Sequence, residues 1–109
     1  MKRNRPYSPL TIEAARLLGG HVAAARRERR WTLEELAERV GVTTQTMRKV
    51  ERGALTVSVG VAFEAAAIVG VPLFSEDATR RQLEASRIDD RLAVLPKAVR
   101  EPRRVRDEF

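Results

Sequence analysis

The chain of 109 residues contains no cysteine, which excludes disulfides, thiolate metal sites and cysteine nucleophiles. It has one histidine, His21, too few for a histidine-based triad or a metal cluster. Aromatic residues make up only 5 %. No apolar run approaches the roughly 20 residues that a membrane-spanning helix needs. The basic start, Met1-Lys2-Arg3-Asn4-Arg5-Pro6, is not followed by an apolar signal core. The expected location is therefore the cytoplasm, or the nucleoid if the protein binds DNA, with no membrane partner. No internal repeat is visible, and no strand-like alternation of useful length. No carboxylate cluster offers acid–base chemistry, so an enzyme is not expected, nor a cofactor or a metal.

What is present is charge and helix-forming residues. Lys and Arg number 21 against 15 Asp and Glu, giving a net charge of +6. This excess is uneven: +3 over residues 1–20, +3 over 21–53, −1 over 54–75, −1 over 76–95 and +2 over 96–109. Such basicity permits a polyanionic partner without establishing one. Ala, Leu, Arg and Glu dominate, and most of the 6 Gly and 5 Pro stand where helices would end. The profile is that of a small all-α protein.

Local signals divide the chain. Residues 1–7 read as a flexible basic tail. Ser8-Pro9 starts a helix, with Ser as cap and Pro at a tolerated first position. Ile12, Ala15, Leu18, Val22 and Ala25 keep helical spacing to about Arg30. Gly19-Gly20 weakens the middle and predicts a kink or a break. Thr32 with Glu35 forms a capping box. The helix it opens puts Leu33, Leu36, Ala37 and Val40 on one face and stops at Gly41. Thr43 caps a third helix over 44–52, with Met47 and Val50 inward and Gly53 after it. Ser58 caps a fourth, Val59 to Val69, stopped by Gly70. Only Glu64 interrupts its apolar surface, so one face serves the core and another suits a partner. It lacks the cationic face of a membrane-surface helix. Pro72 predicts a short helical turn with Leu73 and Phe74. A fifth helix is predicted over 76–95, with Ala85, Ile88, Leu92 and Leu95 in a narrow stripe. Residues 96–109 read as a flexible tail.

The informative stretch is Thr32 to Gly53, TLEELAERVGVTTQTMRKVERG. Two capped short helices joined through Gly41-Val42 cross steeply and make the second protrude. Its outer face reads Thr44, Gln45, Arg48 and Lys49. A helix entering a DNA major groove needs such side chains: Gln pairs with adenine, Arg with guanine, and Thr touches a thymine methyl. The bland alternative is an ordinary polar surface. Arg27, Arg29 and Arg30 read equally as phosphate ligands or as cations at a helix C-terminus. Trp31 reads as a core residue at the corner of the first two helices, and His21 as a surface or interface residue.

These residues resemble the Cro/C1-type helix–turn–helix domain of phage repressors and xenobiotic-response-element-type regulators. The resemblance is carried by Arg26, Thr32-Leu33-Glu34-Glu35-Leu36-Ala37, Gly41-Val42, Val50-Glu51-Arg52-Gly53 and Ala66 with Val69-Gly70-Val71. It covers roughly residues 18–74. It implies a five-helix, lambda-repressor-like domain, here over 8–75 with the helix–turn–helix core at 32–53. The predicted helix over 76–95 is then an addition that contacts a dimer mate or another partner. The resemblance implies base contacts from Thr44, Gln45 and Arg48, and from Lys49 at bases or phosphates. It implies phosphate contacts from Thr32 and Thr43, with Thr46 and Arg52 as further candidates. It also implies an internal pair of Arg26 with Glu51. The chain departs from the pattern at Leu33, where relatives often carry Gln, and at Arg30, which stands for a common Gly.

The reading is a sequence-specific DNA-binding regulator, expected to be a repressor that binds a palindromic operator as a homodimer. Val59, Phe63, Ala67, Ile88, Leu92 and Leu95 are the candidate dimer residues. An alternative is an antitoxin that regulates its own operon and neutralises a toxin protein, such as a Hip-type kinase. A structural module with a repurposed frame would leave the Gln45 and Arg48 face unexplained.

Overall fold

The structure, a computed structural model, describes residues 6–98. Among these it has five helices and no strand: α1 (Pro9–Glu28), α2 (Leu33–Val40), α3 (Thr44–Arg52), α4 (Val59–Val69) and α5 (Ala78–Val94). The all-helical class holds. The chain divides into two compact units, the first ending at Leu73 and the second beginning at Phe74. The tails expected at 1–7 and 96–109 lie, except for residues 6–7 and 96–98, outside the described residues.

The helix starts of the first unit follow from local chemistry. Ser8, Thr32, Thr43 and Ser58 each accept a hydrogen bond from the amide three residues on, at 3.2, 3.0, 3.1 and 3.3 Å. Each cap contributes about 1 kcal/mol. The Thr32–Glu35 box is reciprocal, because the Thr32 amide donates to Glu35 Oε1 at 2.7 Å.

The end of α1 differs from the sequence reading. The helix stops at Glu28, and Arg30 takes φ 61°. The Arg30 amide donates to the Arg27 carbonyl at 2.9 Å and the Trp31 amide to the Arg26 carbonyl at 3.2 Å. These paired bonds satisfy the last carbonyls around a left-handed residue, a place that glycine usually fills. Propensity does not signal it, because Arg is a good helix former; the common Gly that the resemblance places at this position does.

The expected kink at Gly19-Gly20 is also absent: α1 runs unbroken through both residues. Gly19 is buried where α1 crosses α3. A Cβ there would lie 2.6 Å from the Glu51 carbonyl oxygen and closer still to that of Val50. Gly19 thus serves close helix packing. Gly20 is exposed, and a Cβ there would meet nothing.

In this unit α1 packs on α3 and α4, and α2 packs on the same two helices. The core is Val22, Leu36, Ala37, Met47, Val50, Ala65, Ala66 and Val69. Leu18, Ala25, Trp31, Leu33, Val40 and Val42 close its edges. Each large core side chain contributes about 1.5–3 kcal/mol by leaving water. Arg26 and Glu51 lock α1 to α3 across this core.

The helical turn predicted at Pro72 does not form; residues 73 and 74 are bends. Proline pushes the residue before it toward extended backbone, and no capping side chain precedes it. In the second unit, α5 starts two residues later than predicted. Asp77 caps it, accepting from the Thr79 amide at 3.0 Å, and Ser75 accepts from the Asp77 amide at 3.1 Å. The helix ends before Leu95 and Pro96.

Candidate nucleic-acid interface

Helix α3 has 9 residues and spans about 13 Å, and a helix diameter of about 10–12 Å fits a major groove about 12 Å wide. Its inner face is set by buried Met47 and Val50. Gln45, Arg48 and Arg52 are exposed at i, i+3 and i+7 and therefore form one outer stripe. Thr44 and Lys49 flank that stripe and are half-buried. The structure thus brings all four base-contact candidates to one side of α3, with Arg52 one turn beyond Arg48.

At the helix start, Thr43 Oγ1 donates to Thr46 Oγ1 at 3.0 Å and accepts the Thr46 amide. The Met47 amide bonds to the Thr43 carbonyl at 3.0 Å. The amides of Thr44 and Gln45 have no such partner, and the first turn of α3 carries no acidic residue. Two free amides at the positive end of a helix suit a phosphate. The start of α2 is electrostatically opposite. Its first turn holds Glu34 and Glu35, and the Thr32 amide is already bonded to Glu35. Leu33, beside it, is half-buried against the core.

The other end of α3 is fastened. Arg26 Nε donates to Glu51 Oε2 at 2.6 Å and Nη2 donates to Glu51 Oε1 at 3.0 Å. Nη1 donates to the Trp31 carbonyl at 2.8 Å. Both charged side chains are about nine-tenths buried, at 11 % and 10 % exposure. The hydrogen bonds to Glu51 hold the Arg26 guanidinium above its ordinary pKa, against the smaller opposing effect of burial. The pair that the resemblance implied is therefore present, with a third bond that ties in the α1–α2 link.

Two more arginines have structural work that the sequence did not reveal. The guanidinium of Arg39 lies 4.0 Å from the centre of the Trp31 ring and that of Arg29 lies 5.6 Å from it, both within cation–π reach. Arg29 also lies against Gly70 at the end of α4. The last turn of α4 has no basic residue of its own, so Arg29 supplies the cation that the helix end favours. The only available signal was the position of Trp31 between Arg-rich segments. Arg27, Arg30 and His21 are exposed.

The candidate association residues are exposed as well. Val59, Phe63 and Ala67 line one face of α4 at i, i+4 and i+8, with Val59 66 % exposed. Beside Phe63 lies an apolar cleft of about 180 Å³, whose walls include Ala15, Leu18, Leu55 and Ala62. In the second unit Ile88, Leu92 and Leu95 are all exposed, and α5 has no buried residue.

The family model for helix-turn-helix proteins matches residues 22–74. Over these residues, just under half of the chain, lies a helix-turn-helix domain of the Cro/C1 type. The matched span runs from core residue Val22 to Phe74 and includes all of α2, α3 and α4. The helix-turn-helix domain is a DNA-binding domain of transcriptional regulators. No curated protein matches the chain. Among the described residues no helix is long and apolar enough to cross a membrane.

Proposed function

We propose that the chain is a transcriptional repressor that reads a palindromic operator as a homodimer. The observation that carries this is the outer stripe of Gln45, Arg48 and Arg52, opposite buried Met47 and Val50 on a helix whose N-terminus is free of acid. Thr44, Gln45 and Arg48 read base edges in the major groove, with Lys49 at the groove wall. The free amides behind Thr43, together with Thr46 and Arg52, hold the flanking phosphates. Thr32 is a weaker phosphate seat, because Glu34 and Glu35 repel an anion there. Two protomers, joined through Val59, Phe63 and Ala67 and through Ile88, Leu92 and Leu95, present their recognition helices to half-sites about 34–36 Å apart.

Selection from a random DNA pool at a stated salt concentration tests this. A two-fold symmetric consensus with half-sites one helical turn apart supports it, and no enrichment of any sequence refutes it.

The second reading is an antitoxin that also neutralises a partner toxin. It is favoured by α5, a helix of 17 residues that buries nothing in its own unit. A kinase-like or ribonuclease toxin encoded next to this chain, and co-purification with it, would support that reading.

A further inference from the structure

The second unit presents an unpartnered helix whose pattern identifies its occupant. Isolated helices of this length are marginal in water, so the exposed stripe of α5 calls for a covering surface. Residues 78, 81, 85, 88, 92 and 95 follow the alternating three- and four-residue spacing of a two-stranded coiled coil. The stripe is divided by size. Its N-terminal half carries Ala78, Arg81 and Ala85, and its C-terminal half carries Ile88, Leu92 and Leu95. Between the halves lies an apolar groove of about 340 Å³ walled by Phe74, Arg81, Ala85 and Ile88. Arg81 contributes only its stem there, because its Nη1 donates to the Ser75 carbonyl at 2.6 Å.

We infer that α5 pairs with α5 of a second copy of this chain, antiparallel, with Ala85 facing Ile88 of the mate. This deepens the homodimer reading above and rests on it. In that register Leu92 of one copy faces the Arg81 stem beside the groove, and Leu95 faces Ala78. Every large apolar residue of the stripe then meets a small residue or a methylene stem, while Leu83 and Val94 lie outside it.

Charge selects the same arrangement. Glu84 and Arg91 flank one side of the stripe, and Gln82 and Asp89 the other. Among the described residues neither Glu84 nor Arg91 makes an ion pair within the chain. In the antiparallel register, Glu84 lies beside Arg91 of the mate twice over, and Gln82 lies beside Asp89. Shifting the register by one heptad in one direction sets Arg91 against Arg91 and Asp89 against Asp89. Shifting it in the other sets Glu84 against Glu84. A parallel in-register pair sets Glu84 against Asp89 on both sides. Only one of these arrangements avoids like charges.

Sedimentation of the full chain tests this with Glu84→Arg and with Glu84→Arg/Arg91→Glu. The wild type is expected to be a dimer at micromolar concentration. Glu84→Arg turns two attractions into two repulsions and should weaken the dimer about tenfold, while the double variant restores it. Both sites are exposed, so at concentrations where the variants remain dimeric the helical content by circular dichroism should match the wild type. A parallel pair would instead tighten in Glu84→Arg, because Arg would then face Asp89. A wild-type monomer overturns both the dimer reading and this inference. A wild-type dimer that Glu84→Arg leaves unchanged or tightens overturns the pairing of α5 alone.

Discussion

Two adjacent glycines in α1 should respond to the same substitution with opposite signs. Ala is favoured over Gly inside a helix by about 1 kcal/mol. Gly20 is exposed, and a Cβ there meets nothing within 4 Å, so Gly20→Ala should gain about 0.5–1 kcal/mol. At Gly19 the added carbon would sit 2.6 Å from the Glu51 carbonyl oxygen and 2.9 Å from its carbon, with the Val50 oxygen nearer still. These are backbone atoms that cannot turn aside. The Val50 oxygen accepts the Gly53 amide at 3.0 Å, and Glu51 is held by Arg26. Relief therefore requires α1 and α3 to separate. Overpacking of this kind costs typically about 1–3 kcal/mol, and occasionally more. Two backbone carbonyls in the way put the cost at the upper end of that range, so with the propensity gain subtracted Gly19→Ala should lose about 2 kcal/mol. At roughly 4–8 °C per kcal/mol for a domain of this size, Tm should fall by about 8–16 °C for Gly19→Ala and rise by about 2–8 °C for Gly20→Ala. Urea unfolding followed by helical circular dichroism and by Trp31 fluorescence measures both. A stabilised Gly19→Ala would refute the close approach of α1 to α3, and a destabilised Gly20→Ala would restore the idea of a functional kink.

Other outcomes follow from the site. Glu51→Ala leaves Arg26 charged and mostly desolvated, and should cost about 3 kcal/mol, while Arg26→Met/Glu51→Leu should cost much less than either Arg26→Met or Glu51→Leu alone; single costs that simply add in the double variant would show that the pair is not coupled. The folded pKa of Arg26 is raised, so its stabilising effect is complete below the ordinary arginine value and is lost only as pH climbs through the raised one. The stability difference between wild type and the Met/Leu variant should therefore stay flat from about pH 7 to pH 10 in urea melts. Arg48→Ala should relax preference at one base pair by about 1–3 kcal/mol in a binding assay with operator variants, whereas Arg52→Ala should weaken binding to all of them alike and reduce the salt slope by about 1. Arg30→Gly should raise stability by about 1 kcal/mol, since φ 61° is costly for a residue with a Cβ; no gain in the urea midpoint would mean that the side chain offsets the strain with contacts of its own.

Legibility in this sequence tracks how local the cause is. Ser8, Thr32, Thr43 and Ser58 declare helix starts because a cap acts within three residues. Gly41, Gly53 and Gly70 declare helix ends because only the next turn is involved. The outward face of α3 was legible because Met47 and Val50 define its inward one. Gly19 and Gly20 look identical to any local rule, and the carbonyls that distinguish them come from about thirty residues further on. Arg30 in a left-handed conformation contradicts its own propensity and persists because two backbone bonds close around it. The cations around Trp31 were hidden because stacking depends on where side chains turn and not on spacing: Arg39 reaches the ring from α2 and Arg29 from the cap of α1.

The same division between near and distant causes explains how α3 can present a reading face. Beyond the core packing of Met47 and Val50, what fixes α3 from a distance acts on its last turn. Gly19 admits the carbonyls of Val50 and Glu51, Arg26 grips the Glu51 carboxylate, and Gly53 sits over the backbone of Arg16. The first turn is held only by its own cap and by Met47 beneath it. A recognition helix anchored at its C-terminal end leaves the exposed Gln45 and the two unpaired amides of its first turn free to meet DNA. Side chains that choose a sequence can then vary at 44, 45 and 48 at little cost to stability, because the residues that orient the helix are a different set.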